Sequence, residues 1–94
     1  MVKETSISDK DLNSLTDLAK RIKEKYGVIL WFAEIFGKRW SYLAGEKDIS
    51  EYVWERIQIN DKLGILVNDW GNVSEEIKKE ILDLIRENIR EMKG

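Results

Sequence analysis

The chain has 94 residues, enough for one domain with a modest core. It carries 16 basic and 18 acidic residues, a formal charge of −2, and no His, Cys or Pro. This composition excludes disulfides, Ser-His and Cys-His nucleophiles and the usual zinc sites, and it gives no bulk attraction to nucleic acid or anionic lipid. Its rich Lys, Glu and Ile usage is common in thermophile proteins, and an AT-rich genome produces the same bias.

Residues 1–7 read as a flexible tail ahead of a single domain that occupies residues 1–94 as a whole. A first helix follows. Ser8 is a good N-cap, Asp9 and Asp11 suit the positive end of the helix dipole, and Ile7 and Leu12 have the spacing of a hydrophobic staple. Leu12, Leu15, Leu18, Ala19, Ile22 and Tyr26 recur at helical spacing, and Gly27 supplies a left-handed stop. The basic cluster Lys20, Arg21, Lys23 and Lys25 reads as a solvated face that suits a helix C-terminus.

Residues 28–45 read as a hairpin turning at Gly37-Lys38, with Gly first as a type II′ turn requires. That register pairs Phe36 with Arg39, Ile35 with Trp40, Ala33 with Tyr42 and Phe32 with Leu43. Alternation then gives two faces. One carries Ile29, Trp31, Ala33, Ile35, Trp40, Tyr42 and Ala44, and has no charge. The other carries Leu30, Phe32, Glu34, Phe36, Arg39, Ser41 and Leu43, with Glu34 and Arg39 placed to pair. The uncharged face is expected to form the core, which makes Trp31, Trp40 and Tyr42 core residues.

Residues 45–50 form a polar connection. Residues 52–59 alternate with β-branched and aromatic side chains and read as a strand, Tyr52, Trp54, Arg56 and Gln58 sharing a face. A helix is the alternative, because Asp48 and Glu51 have capping-box spacing and Ile49, Val53 and Ile57 fall four apart. The turn signal "NDKLG" leads into a fourth strand, "ILV". Asp69 with Asn68 and Asn72 offers oxygen ligands, but the positions up to Glu80 do not fit an EF-hand loop, so "NDWGN" reads as a turn anchored by Trp70. Ser74 then caps a last helix whose stripe is Ile77, Ile81, Leu84, Ile85, Ile89 and Met92.

The expected fold is α+β: a two-layer helix–antiparallel four-stranded meander–helix arrangement with both helices on one sheet face. The order resembles that of double-stranded RNA-binding domains, which have three strands. The basic motif with which that family opens its last helix is replaced here by acidic Ser74-Glu75-Glu76. No glycine-rich phosphate loop is present, and the N-terminal residues lack the apolar run of a signal peptide. The longest apolar run, Val28 to Ala33, is far short of the roughly 18 residues that span a bilayer. The expectation is a cytoplasmic protein that is not an enzyme, needs no cofactor or metal and binds no membrane.

Aromatics and Arg with few other charges match the composition of interface hot spots. The expected site is therefore the mixed outer face and its tip: Phe32, Glu34, Phe36, Lys38, Arg39, Leu43, Tyr52, Trp54 and Arg56. The expected partner is protein, most simply a second copy forming a homodimer. The alternative is single-stranded nucleic acid, with bases stacked on the rings and phosphates on Lys38, Arg39 and Arg56. The acidic balance of the chain makes nucleic acid the weaker reading.

Overall fold

The computed structural model of the protein describes residues 9–45 and 54–92. The Ser8 cap, its staple partner Ile7, the tail, the polar connection and Tyr52 lie outside the described residues, as does the Met92 side chain. Helix α1 is Asp9–Tyr26, and strands β1 to β4 are Leu30–Phe36, Arg39–Gly45, Trp54–Gln58 and Leu63–Asn68. A short 3-10 turn, Trp70–Asn72, precedes helix α2, Glu75–Met92. The α+β class and the helix–four strands–helix order match the sequence reading, and residues 54–58 form a strand rather than the helical alternative.

The α1 stripe of Leu15, Leu18, Ala19 and Ile22 is buried. Gly27 ends the helix at φ 70, its N–H bonded to the Lys23 carbonyl at 2.9 Å. That is the left-handed C-terminal motif for which glycine carries no steric cost. At the hairpin tip Gly37 has φ 63, while Lys38 is not among the non-glycine residues with positive φ, as a type II′ turn demands. Ser74 Oγ accepts the Ile77 N–H at 3.3 Å and caps α2. Trp70 is buried under the start of α2 with Lys78 Nζ 5.5 Å from its ring centre, so this loop is an anchored turn. Tyr26 donates to Glu80 at 2.9 Å and ties the end of α1 to α2.

The sheet order is β2-β1-β4-β3. This corrects the simple meander: two hairpins meet through β1 and β4, and the chain passes from one sheet edge to the other between β2 and β3. The reason lies in the strand compositions. Residues Leu63 to Val67 of β4 are buried throughout, whereas β3 carries Glu55, Arg56 and Gln58, all exposed. A meander would bury the charged strand inside the sheet and leave the apolar one at an edge, where natural sheets prefer charge.

A second correction concerns the faces. The core holds Leu30 and Phe32 of β1 with Leu63, Ile65 and Val67 of β4, packed against α1 and against Ile81 and Ile85 of α2. Both helices thus cover the face that carries Glu34, and the uncharged face of Trp31, Ala33, Ile35, Trp40 and Tyr42 lies outside. Register explains the choice. Leu30 pairs with Val67, Phe32 with Ile65 and Glu34 with Leu63, which lines up bulky side chains across the central seam. The opposite face of the same seam pairs Ala33 with Gly64 and offers far less apolar area to bury. Glu34 goes inward with that row and is only 6% exposed. Arg39 lies over the Phe36 ring at 5.7 Å instead of pairing with it.

A third departure is a bulge in β2. Phe32 pairs with Ala44, not Leu43, so one extra residue sits in that strand. Ala44 thereby joins the core, and Leu43 packs beside it. Beyond the bulge, Gly45 adopts φ 114 opposite Trp31, where a Cβ would lie 2.7 Å from the Trp31 Cα and 2.8 Å from the Leu30 carbonyl oxygen. Only glycine fits there.

Denaturant unfolding separates the two faces. Phe32→Ala is expected to cost about 3–5 kcal/mol, as for a fully buried ring. Trp40→Ala is expected to cost about 1 kcal/mol, the centre of the range for single substitutions, because its ring is half-buried rather than enclosed. Equal losses would return the Trp40 face to the core.

Candidate interaction surface

The outer face is set by strand alternation. It presents Trp31, Ala33 and Ile35 from β1, Trp40 and Tyr42 from β2, Gly64 and Leu66 from β4, and Trp54, Arg56 and Gln58 from β3. Three rings run across it. Tyr42 and Trp31 lie 5.6 Å apart at 45°, and Trp31 and Trp54 lie 6.2 Å apart, edge to face at 77°. Both geometries suit the ring quadrupoles and add about 0.5–1.5 kcal/mol per pair beyond area burial. Tyr42 also donates to the Gly45 carbonyl at 2.7 Å, which fixes its ring against the bulge.

Trp40 makes a second feature. Its six-membered ring lies directly above Gly64, where any Cβ would overlap it. Ala33 stands between them in the register, paired with Tyr42 on one side and Gly64 on the other. The two small residues form a trough that lets the indole cross the sheet. On the far side the Arg56 guanidinium stands 5.3 Å from the Trp40 ring centre, a cation–π contact that ties edge strand β2 to edge strand β3. Tyr42 is 43% exposed, and Trp31, Trp40, Trp54 and Ile35 are half-buried.

The expected site residues divide. Trp54 and Arg56 belong to this surface. Phe32 and Glu34 do not, being buried beneath the helices, and Leu43 packs against the core. Phe36, Lys38 and Arg39 are exposed together at the hairpin tip, away from the ring row. The sequence reading missed Trp31, Trp40 and Tyr42 as surface residues. The signal that finds them is the small pair Ala33 and Gly64, which cannot fill a core layer.

The chemistry of the face is that of contact. Its described strand positions carry rings, aliphatics, glycine, two amides (Gln58 and Asn68) and one guanidinium, with no carboxylate and no hydroxyl other than that of Tyr42. Among the described residues no three His, Cys, Asp or Glu side chains converge to hold a metal. Asp69 accepts a hydrogen bond from Asn72 at 2.7 Å and closes the turn before α2. The depression of about 320 Å³ beside that turn is open and shallow. No described helix is long and apolar enough to cross a membrane.

No family model matches the chain, and neither a curated protein nor a solved structure matches it. The functional reading therefore stands on the geometry of this surface.

Gly64→Ala is expected to lift Trp40 out of its trough. Tryptophan emission should shift to the red with about 1–3 kcal/mol of lost stability, since the added methyl displaces the indole ring. The shift should vanish in a Trp40→Phe background. A shift that persists there would mean another indole had moved.

Proposed function

We propose that the protein is a non-enzymatic interaction module that binds protein through the outer aromatic face of its sheet. The observation that carries this reading is the half-exposed row Tyr42–Trp31–Trp54, set beside Trp40 and Arg56 on a face whose described strand positions carry no other charge. Rings and Arg are the residues that dominate binding energy at protein interfaces, and a contiguous apolar patch of this kind is unusual on a surface that meets only water.

A second copy is the simplest occupant, and the size of the face limits it. Strands of five to seven residues in a four-stranded sheet make a plateau of roughly 400 Å². A stable interface buries about 800 Å² per partner. Sheet-to-sheet self-association through this plateau alone is therefore weak. Nucleic acid is the competing occupant. Among the described residues, however, the strand positions of the face offer one basic side chain, Arg56, and tracking a backbone needs a charged groove.

The test compares the wild-type chain with Trp54→Ser and with a control altered on the exposed side of α2, such as Glu87→Ser. Affinity capture is run from the native cell extract with nuclease present, at 0.15 and 1 M salt. A discrete protein retained at both salt concentrations by wild type and control, and lost by Trp54→Ser, is the expected result. Equal capture by all three chains, or capture abolished by nuclease or salt, overturns the proposal.

A further inference from the structure

Among the described residues, the strand positions of the ring face carry one charge, and nothing described neutralises it. Arg56 is exposed, and its guanidinium is placed by the Trp40 ring 5.3 Å away. No carboxylate among the described residues lies within ion-pair distance of it; Lys78 and Glu75, far away on α2, form an ion pair of their own. Glu55, the nearest acid along the strand, points to the other side of the sheet by alternation. The remaining described strand positions of the outer face are aromatic, aliphatic, glycine or the neutral amides of Gln58 and Asn68.

This arrangement discriminates between occupants. An apolar partner laid across the face would strip water from Arg56 and return nothing, and an uncompensated buried charge is strongly unfavourable. A second copy docked face to face presents the same acid-free strand positions, and its own Arg56 adds a like charge. A phosphate backbone needs several cations along its path and finds one among the described strand positions. A carboxylate set among apolar side chains meets both demands. The guanidinium fork offers it two parallel N–H donors, and stacking on Trp40 orients the fork before the partner arrives.

We propose that the cognate occupant is a different protein, bound through a segment that seats a single Asp or Glu carboxylate on Arg56 while its apolar neighbours pack on the half-exposed rings of Trp40 and Trp31. This rests on the reading that the face binds protein. The Trp40–Arg56 pair then acts as the specificity element, and the ring row supplies contact area.

The experiment uses a display library of random twelve-residue peptides selected on the full 94-residue chain. Parallel selections are made on Arg56→Gln and Trp54→Ser, and each variant is checked for native unfolding behaviour first. Peptides from wild type should share one acidic residue at a fixed place among apolar ones. Binding of a synthetic winner should fall at least tenfold on Arg56→Gln, and equally when its acid is changed to the amide. The two changes together should cost no more than either alone. Winners lost on Trp54→Ser but lacking the acid, and indifferent to Arg56→Gln, overturn the carboxylate proposal and leave protein binding standing. Winners indifferent to both substitutions, or no enrichment over an unrelated bait, overturn both. A dimer stable at low micromolar concentration and broken by Trp54→Ser places a second copy on the face and overturns the different-protein occupant.

Discussion

The structure depends on the seam between β1 and β4. Val67–Leu30 and Ile65–Phe32 pair there, and their side chains point to the helices together. Each large aliphatic or aromatic group buried in this way stabilises the fold by about 1.5–3 kcal/mol. Because a strand period of two admits no compromise, committing this row to the core commits Ala33, Gly64 and their neighbours to the outside. The inward placement of Glu34 follows, as does the outward placement of three of the four tryptophans. The ring surface is thus the other side of one packing decision.

Much of this was legible in the chain. The helices were, because Leu15, Leu18, Ala19 and Ile22, and later Ile81 and Ile85, repeat with the helical period and end in recognisable caps. The tip at Gly37 and the anchor Trp70 were legible as local chemistry. The face was not, because counting charges on β1 and β2 alone lets one Glu decide. The deciding information sat on β4, whose alternation of Leu63, Ile65 and Val67 against Gly64 and Leu66 only counts once β4 is known to pair with β1. The bulge at Leu43 was also hidden, since no residue there demands it and Gly45 makes sense only beside Trp31. The expected site residues are therefore split between the two sheet faces for a structural reason. Trp54 and Arg56 belong to a strand whose register was read independently, whereas Phe32 and Glu34 inherited the inverted hairpin.

The outer face is also rigid in the way recognition rewards. Its rings brace one another, Tyr42 is fixed to the Gly45 carbonyl, and Trp40 is held between a trough and a cation. Side chains already ordered in the free protein lose little entropy on association, so a small plateau can bind more tightly than its area suggests. All of this sits on strands rather than loops, which keeps the spacing of rings and charge constant.

The edge-to-edge crossing has a consequence for how the chain reaches this state. Each hairpin closes over a short loop and can form early and alone, but neither buries much by itself. The seam joins residues 30–34 to residues 63–67, so the decisive contacts arrive only after a long stretch of chain has been ordered. Loop entropy is thus spent before the main stabilisation is collected, and pairing of this non-local kind, the docking of one hairpin on the other, forms slowly. Until that docking is complete the apolar edges of β1 and β4 are both open, and unpaired strand edges of this kind are templates for aggregation.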